Sequence, residues 1–361
     1  MAQVRASIRR PKGRRWTTAD KALALSLLHS SPRSYRILRR VFFLPSVKTL
    51  KKTMLNLNIY PGFSDIILSA LKKKVEKLPA ASKLVCLAID EMSIKEGLAY
   101  DPRKDFVEGF VNGKELANHA LAFVVRGLIH QWKQPFGYFL SSAPMKGDEL
   151  KSLLVQAITK LTSIGLNVIL VVSDQGSNNQ NLYNTQLKVS EEKPYFYVND
   201  KKIFVMYDPP HLLKSVRNNL HSHGFEVDGH DILWEHIQDF FEKDSSKSVR
   251  LAPKLTQRHL DLPPFSRLRV RLAAQTLSHT VATGMKVLAQ WDIIGADAEH
   301  TADFLENFDR LFNVFNSNSL HSTAKMRHAF NDTSGHREFL QEMLDWLKSL
   351  KYKGIYHLQF V

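Results

Sequence analysis

With 361 residues, 44% of them hydrophobic and 24% charged, the chain has globular composition and room for two or three domains of about 100–200 residues each. A single cysteine, Cys86, excludes a disulfide framework and any multi-cysteine zinc site. The apolar runs, such as 84–89 and 168–172, are far short of the ~20 residues of a membrane helix, so no membrane partner is expected.

The net charge of +15 is concentrated at one end: residues 1–83 hold nineteen Lys/Arg against three acids, and the remainder thirty-one against thirty-two. Such a density favours phosphate backbones through counterion release. Residues 1–13 read as a basic tail. Thr17 or Thr18 then caps a helix through Leu23, Leu25, Leu27 and Leu28, with Asp20 in its first turn. Ser31-Pro32 opens a second helix through Tyr35, Leu38 and Val41, and Ser46 caps a third carrying Lys48, Leu50 and Lys51. Three short helices with basic residues on the second and third predict a helix-turn-helix within 14–79. A further helix over 64–77 completes that region.

From Lys83 the pattern changes. Leu84-Val85-Cys86-Leu87-Ala88-Ile89 is continuous and apolar, as in a strand buried on both faces. Strands are expected at 106–111, 120–128 and 136–141, a helix at 146–164, and further buried strands at 168–172 and 203–207. A helix over 212–220 follows. The order β-β-β-α-β-(α)-β-α is the ribonuclease-H-like succession, assigned to 80–225. Beyond Gly229 the chain turns helical, with helices expected at 232–241, 265–290, 298–315 and 337–351, grouped as 226–361.

Asp90 directly follows the first wholly apolar strand and Asp174 the second, 168–172. In this topology the two strands are neighbours, so both carboxylates converge at one edge of the sheet. Close carboxylates are expensive without a cation, and oxygen-only donors favour Mg²⁺ or Mn²⁺. Two such ions suit phosphodiester displacement. Taken singly, either Asp reads as a turn or cap residue.

Three stretches carry a family resemblance: Leu87-Ala88-Ile89-Asp90-Glu91-Met92-Ser93-Ile94-Lys95, Ser173-Asp174-Gln175-Gly176-Ser177-Asn178, and Asp208-Pro209-Pro210-His211-Leu212-Leu213-Lys214-Ser215-Val216-Arg217-Asn218-Asn219. They resemble the P-element transposase family and its THAP-domain relatives, and Gly13-Arg14-Arg15-Trp16-Thr17 through Leu44-Pro45-Ser46 is similar to that family's helix-turn-helix region. The resemblance implies an α/β fold. Its ribonuclease-H-like (retroviral-integrase-like) core would be incomplete, preceded by the helix-turn-helix and interrupted by a helical GTP-binding-type insertion. It implies a cut-and-paste DNA transposase, in origin a Mg²⁺- or Mn²⁺-dependent phosphodiester hydrolase and strand-transferase. Asp90 and Asp174 match the first two members of its acidic triad.

No Gly-x-x-x-x-Gly-Lys-Ser/Thr loop is present; the expectation of GTP comes from the resemblance alone. By resemblance, Lys254, Arg269 and the backbone at Val270 fall at nucleotide-contacting positions, and Phe312, Asn313 and Asn316 fall in the family's Phe-Asp-x-x-Asn stretch. Asn313 stands where that family has an aspartate. An amide cannot accept from both guanine N–H groups, so weaker GTP binding and poorer guanine selectivity are expected. A solvated Asn313 and Asn316 with Phe312 in the core is the plainer alternative.

Implied partners are transposon-end and target DNA and, for the basic first quarter, a second copy of the chain; the implied compartment is the nucleus. The THAP finger needs cysteines this chain lacks, and no third acid follows the helical region before Val361. The expectation is therefore a fragment, a partial gene model or a degenerate and inactive copy, with a domesticated DNA-binding or assembly protein as the alternative.

Overall fold

The computed structural model describes the chain except residues 1, 9, 11–12, 56–59, 102–104, 112, 131, 318–324 and 354–361, and omits the side chains of 2, 5, 6, 55, 101, 264 and 325. The chain divides into two compact units, Met1–Ser64 and Asp65–Val361.

The first unit is helical: α1 (Ala2–Ser7), α2 (Thr18–Ser30), α3 (Pro32–Val41) and α4 (Val47–Leu55). Thr17 and Asp20 form a reciprocal capping box at the start of α2, satisfying two otherwise orphaned N–H groups. Ser31 caps α3 and Ser46 accepts the Thr49 N–H at 3.0 Å to cap α4. Ala24, Tyr35 and Leu50 form a small core, and the Tyr35 hydroxyl donates to the Pro45 carbonyl at 2.8 Å. The core is small because α3 and α4 give their outer faces to Arg33, Arg36, Arg39, Arg40, Lys48, Lys51 and Lys52, all exposed. The segment expected as a tail contains α1, whose Gln3 side-chain amide brackets the Phe43 backbone with bonds of 2.9 and 2.8 Å.

The second unit opens with α5 (Asp65–Val75), followed by β1 (Leu84–Ser93), β2 (His119–Gly127), β3 (Lys133–Ser141), α6 (Gly147–Ser163), β4 (Asn167–Ser173), β5 (Tyr195–Val198), β6 (Lys201–Tyr207) and α7 (Pro209–Ser222). These strands lie side by side in the order β3-β2-β1-β4-β6-β5. β1 is antiparallel to β2, with Asp90 opposite Ala122, and parallel to β4, with Ala88 opposite Val172; β4 is parallel to β6, with Ser173 opposite Tyr207. Within the β1–β4 ladder Val85 faces Val168 but Cys86 faces Leu170, so Ile169 is an extra residue in β4. α6 buries Leu150, Leu154, Ala157, Ile158 and Leu161, a stripe at helical spacing.

The rest of this unit is a helical body with a small sheet of β7 (Phe225–Val227), β8 (His230–Ile232) and β9 (Lys351–Tyr352). Its helices are α8 (Trp234–Ser245), α9 (Gln257–Asp261), α10 (Val270–Thr276), α11 (His279–Gln290), α12 (Ala298–Phe315) and α13 (His336–Ser349). Phe225, Trp234, Ile237, Phe240, Met285, Leu288, Phe304 and Leu305 are buried in one cluster. α8 and α11 approach so closely at Gly284 that a Cβ there would stand 2.7 Å from Phe240 Cζ. Asp244, with no exposure, anchors the following loop by accepting from Arg250 Nε at 3.1 Å and from the N–H groups of Leu251 and Ala252.

Three expected elements differ. The 106–111 segment is not one strand of the main sheet but two short ones, Phe106–Glu108 and Phe110–Val111, each in its own ribbon; Gly109 between them takes φ +113° with the Gly97 carbonyl where a Cβ would be. The helix expected over 265–290 breaks into α10 and α11, because Ser278 adopts extended backbone and its Oγ accepts the Val281 N–H. Asp90 lies inside β1 rather than after it, since pairing with β2 continues to Ser93 opposite His119.

Candidate functional site

The parallel ladder ends at the Ala88–Val172 pair; Asp90 stands two residues further along β1 and Asp174 just past the end of β4, near enough for its charge to act on Asp90. Glu91 alternates to the other face of β1 from Asp90, accepts the Met145 N–H at 3.0 Å, and lines a cavity of about 130 Å³ with Asp174 and Asn179. Asp174 is held in place: its Oδ1 accepts from Asn179 Nδ2 at 2.7 Å and from the Gly176 N–H at 3.1 Å. Asp208 closes the third side. Its N–H donates to the Ser173 carbonyl at 2.7 Å, and its carboxylate caps α7 and contacts His211 Nδ1 at 2.6 Å.

The electrostatics report this crowding. The Asp90 carboxyl is raised above the ordinary carboxylate value, first by desolvation and then by the Asp174 charge; His211 pulls it down and Asp208 pushes it up. Among the described residues no cluster of three or more His, Cys, Asp or Glu side chains is arranged to hold a metal ion. Two carboxylates nevertheless suit Mg²⁺, which commonly keeps several waters and takes one or two protein carboxylates plus substrate phosphate oxygens. The donor chemistry therefore fits. His221, His223, Asp228, His230 and Asp231, close in sequence, scatter: His221 packs on Trp234, His230 stacks on His300, and Asp231 pairs with Lys353.

The six nucleotide-position residues do not share one cavity. Lys254 and Asn313 line a cavity of about 550 Å³ together with Gln275, His279, Asp309 and Arg327. Phe312 turns away, lining a separate apolar cavity with Pro209, Leu212, Val216 and Phe315. Asn316 caps the end of α12, its Nδ2 donating to the Phe312 carbonyl at 2.8 Å. Arg269 and Val270 begin α10 and do not line the Lys254 cavity. Asn313 is 8% exposed and both its amide ends are engaged, Nδ2 donating to Asp309 Oδ2 at 2.8 Å and Oδ1 accepting from Arg327 Nε at 2.7 Å. Burial raises the Asp309 carboxyl, against the pull of Arg327, His279 and Asn313. In volume and in its mix of cations, amide and carboxylate, the cavity fits a nucleotide.

Sequence reasoning missed Asn179, Asp309 and Arg327. Asn179 lies in the turn after the Asp174 motif and Asp309 one helical turn before Asn313, so both carried a positional signal; Arg327 carried none.

Residues 59–186 match the family model of a TNP-like, RNase H N-terminal domain, and residues 210–329 that of a TNP-like, GTP-binding insertion domain. The sheet and the helical body are thus those of a ribonuclease-H-like transposase core carrying a GTP-binding insertion domain. The chain is 31% identical over 302 residues to the Transposable element P transposase of Drosophila melanogaster, covering 82% of this chain and 38% of that protein. It is 26% identical over 323 residues to the human DNA transposase THAP9, covering 82% and 34%. A solved structure, the Drosophila P element transposase strand transfer complex, superposes with a TM-score of 0.76 at 28% identity, over 99% of this chain and 78% of that one. The chain belongs to the P-element transposase family. It spans just over a third of the length of these two relatives.

Proposed function

We propose that this chain is part of a P-element-like DNA transposase, in which Asp90 and Asp174 hold Mg²⁺ or Mn²⁺ for phosphodiester hydrolysis and strand transfer. The observation that supports this reading is the proximity of the two acids, since the Asp90 carboxyl is raised first by desolvation and then by the Asp174 charge. The bound cation would supply charge neutralisation for the attacking and leaving oxygens. Asn179 and the Gly176 N–H keep the Asp174 carboxylate aimed, and Asp208 holds the start of α7 against β4.

GTP is proposed for the insertion domain. Lys254 would take phosphate oxygens, while Asn313 lies between Asp309 and Arg327. Residues 14–79 would act as the helix-turn-helix grip on transposon-end and target DNA, and would assist self-assembly. Residues 80–225 would be the core and 226–361 the insertion. The site of action would be the nucleus; among the described residues no helix is long and apolar enough to cross a membrane.

Mn²⁺ binding followed by electron paramagnetic resonance tests the reading. Wild type is expected to bind, Asp90→Asn and Asp174→Asn to lose binding, and nicking of transposon-end duplexes to follow the metal. DNA retention with no Mn²⁺ uptake would refute metal-dependent chemistry and leave a DNA-binding or assembly role.

A further inference from the structure

Between α9 and α10 the chain makes a short 3-10 turn, Pro264–Ser266, whose outward side is unlike the rest of the helical body. Phe265 is 79% exposed and Leu268 68%. Around them Arg258, Arg267, Arg269 and Arg271 are all exposed. Residues 254–271 contain five Lys/Arg and one acid, Asp261. Among the described residues no carboxylate pairs with Arg267, Arg269 or Arg271. Large apolar side chains held in water beside unneutralised guanidinium groups mark a contact surface rather than a solvated loop.

The presentation is built. Ser266 has no exposure; its N–H donates to the Pro263 carbonyl at 2.6 Å and its Oγ accepts from Arg258 Nε at 3.2 Å. Beneath it Arg217 of α7, also without exposure, donates through Nη2 to the carbonyls of Ser266 at 3.4 Å and Arg267 at 3.0 Å. Its Nη1 has no partner among the described residues. A fully buried guanidinium spent on loop carbonyls is costly, and its effect is to fix the turn so that Phe265 and Leu268 point out. α7 begins at its Asp208 cap beside the two aspartates and reaches Arg217 nine residues later, about 14 Å along the helix. The loop is thereby anchored to the helix that starts at the candidate catalytic edge.

We propose that this loop is a duplex-DNA contact, in which Arg267 and Arg271 take backbone phosphates while Phe265 and Leu268 press between base pairs in the minor groove. Arginine beside an apolar wedge is the chemistry of such contacts: phosphate neutralisation supplies affinity, and the wedge partly unstacks a base step. This rests on the DNA-binding reading above.

The test uses the full chain and duplex DNA labelled with fluorescein for anisotropy, and with 2-aminopurine for unstacking. Arg269 is left intact so that nucleotide binding is not confounded. Arg267→Ala/Arg271→Ala should lower the slope of log affinity against log salt by roughly 2, equivalent to about 30-fold weaker binding near 0.15 M salt. Phe265→Ala/Leu268→Ala should leave that slope unchanged and abolish the rise in 2-aminopurine fluorescence. Both variants should keep the wild-type far-ultraviolet dichroism, because all four side chains are exposed. Wild type failing to bind duplex DNA would overturn the DNA-binding reading itself. Wild type binding with both variants indistinguishable from it would overturn only the loop assignment. Loss of binding to a fluorescent GTP analogue with DNA affinity intact would assign the loop to nucleotide and overturn it too.

Discussion

Asn313→Asp restores the family's acid at that position, and the structure sets its consequence apart from what resemblance alone implies. The new carboxylate would stand 2.8 Å from Asp309 Oδ2, where an amide now donates, and would still face Arg327 Nε at 2.7 Å. At an effective dielectric near 20, repulsion between two carboxylates about 4 Å apart is about 4 kcal/mol, and attraction to Arg327 is of similar size. The lost Asn313–Asp309 bond then leaves a net destabilisation of about 1–2 kcal/mol. Proton uptake by the pair moderates it. Asp309 is already raised above the ordinary carboxylate value by burial, and a second acid raises it further. Stability conferred by the protonated form is present at low pH and is lost as pH climbs from the ordinary carboxylate value through the raised one. Thermal melts should therefore show a larger penalty at pH 8 than at pH 5. The exchange variant Asp309→Asn/Asn313→Asp removes the repulsion and keeps the charge count, so a double-mutant cycle should return about 1–3 kcal/mol of coupling. A melting temperature for Asn313→Asp that exceeds wild type at both pH values, with additive single changes, would refute the Asp309–Asn313–Arg327 bridge.

Gly284→Ala should cost about 1–3 kcal/mol in chemical denaturation, because its Cβ enters the space of Phe240; a neutral result would mean that α8 and α11 are farther apart. Asp244→Ala should cost about 3–5 kcal/mol by leaving Arg250 and two loop N–H groups without their acceptor, and melts would show it directly. The Asp90 carboxyl, raised by desolvation and Asp174, binds a proton that competes with metal. Mn²⁺ affinity should therefore rise with pH above the ordinary carboxylate range, and Asp174→Asn should move the Asp90 titration downward by carboxyl-carbon NMR.

Where chemistry is local, the sequence was readable. Thr17, Ser31 and Ser46 all cap the helices that follow them, because a short polar side chain ahead of an apolar stripe has few other uses. The core strands showed as unbroken apolar runs for the same reason: β1 buries Val85, Cys86, Leu87 and Ile89, and β4 buries Val168 and Val171. The break at Ser278 was hidden, since Leu272, Leu277 and Val281 are buried on both sides of it and the apolar spacing runs on regardless. The Asn313 bridge was out of reach as well. It needs Arg327, which belongs to a different segment, and nothing in the intervening residues announces that contact.

A single supernumerary residue in β4 has a long reach. Before it the ladder pairs position n of β1 with n + 83, as in Val85 with Val168; after it the offset is 84, as in Cys86 with Leu170. Were Ile169 taken into the ladder instead of bulging from it, the offset would stay at 83, Asp90 would come level with Ser173, and the second acid would swing to the far side of the sheet. The bulge sits about 15 Å from the aspartates along the strand. Deleting Ile169 would instead remove the bulge and keep Cys86 opposite Leu170, leaving the register toward the aspartates unchanged.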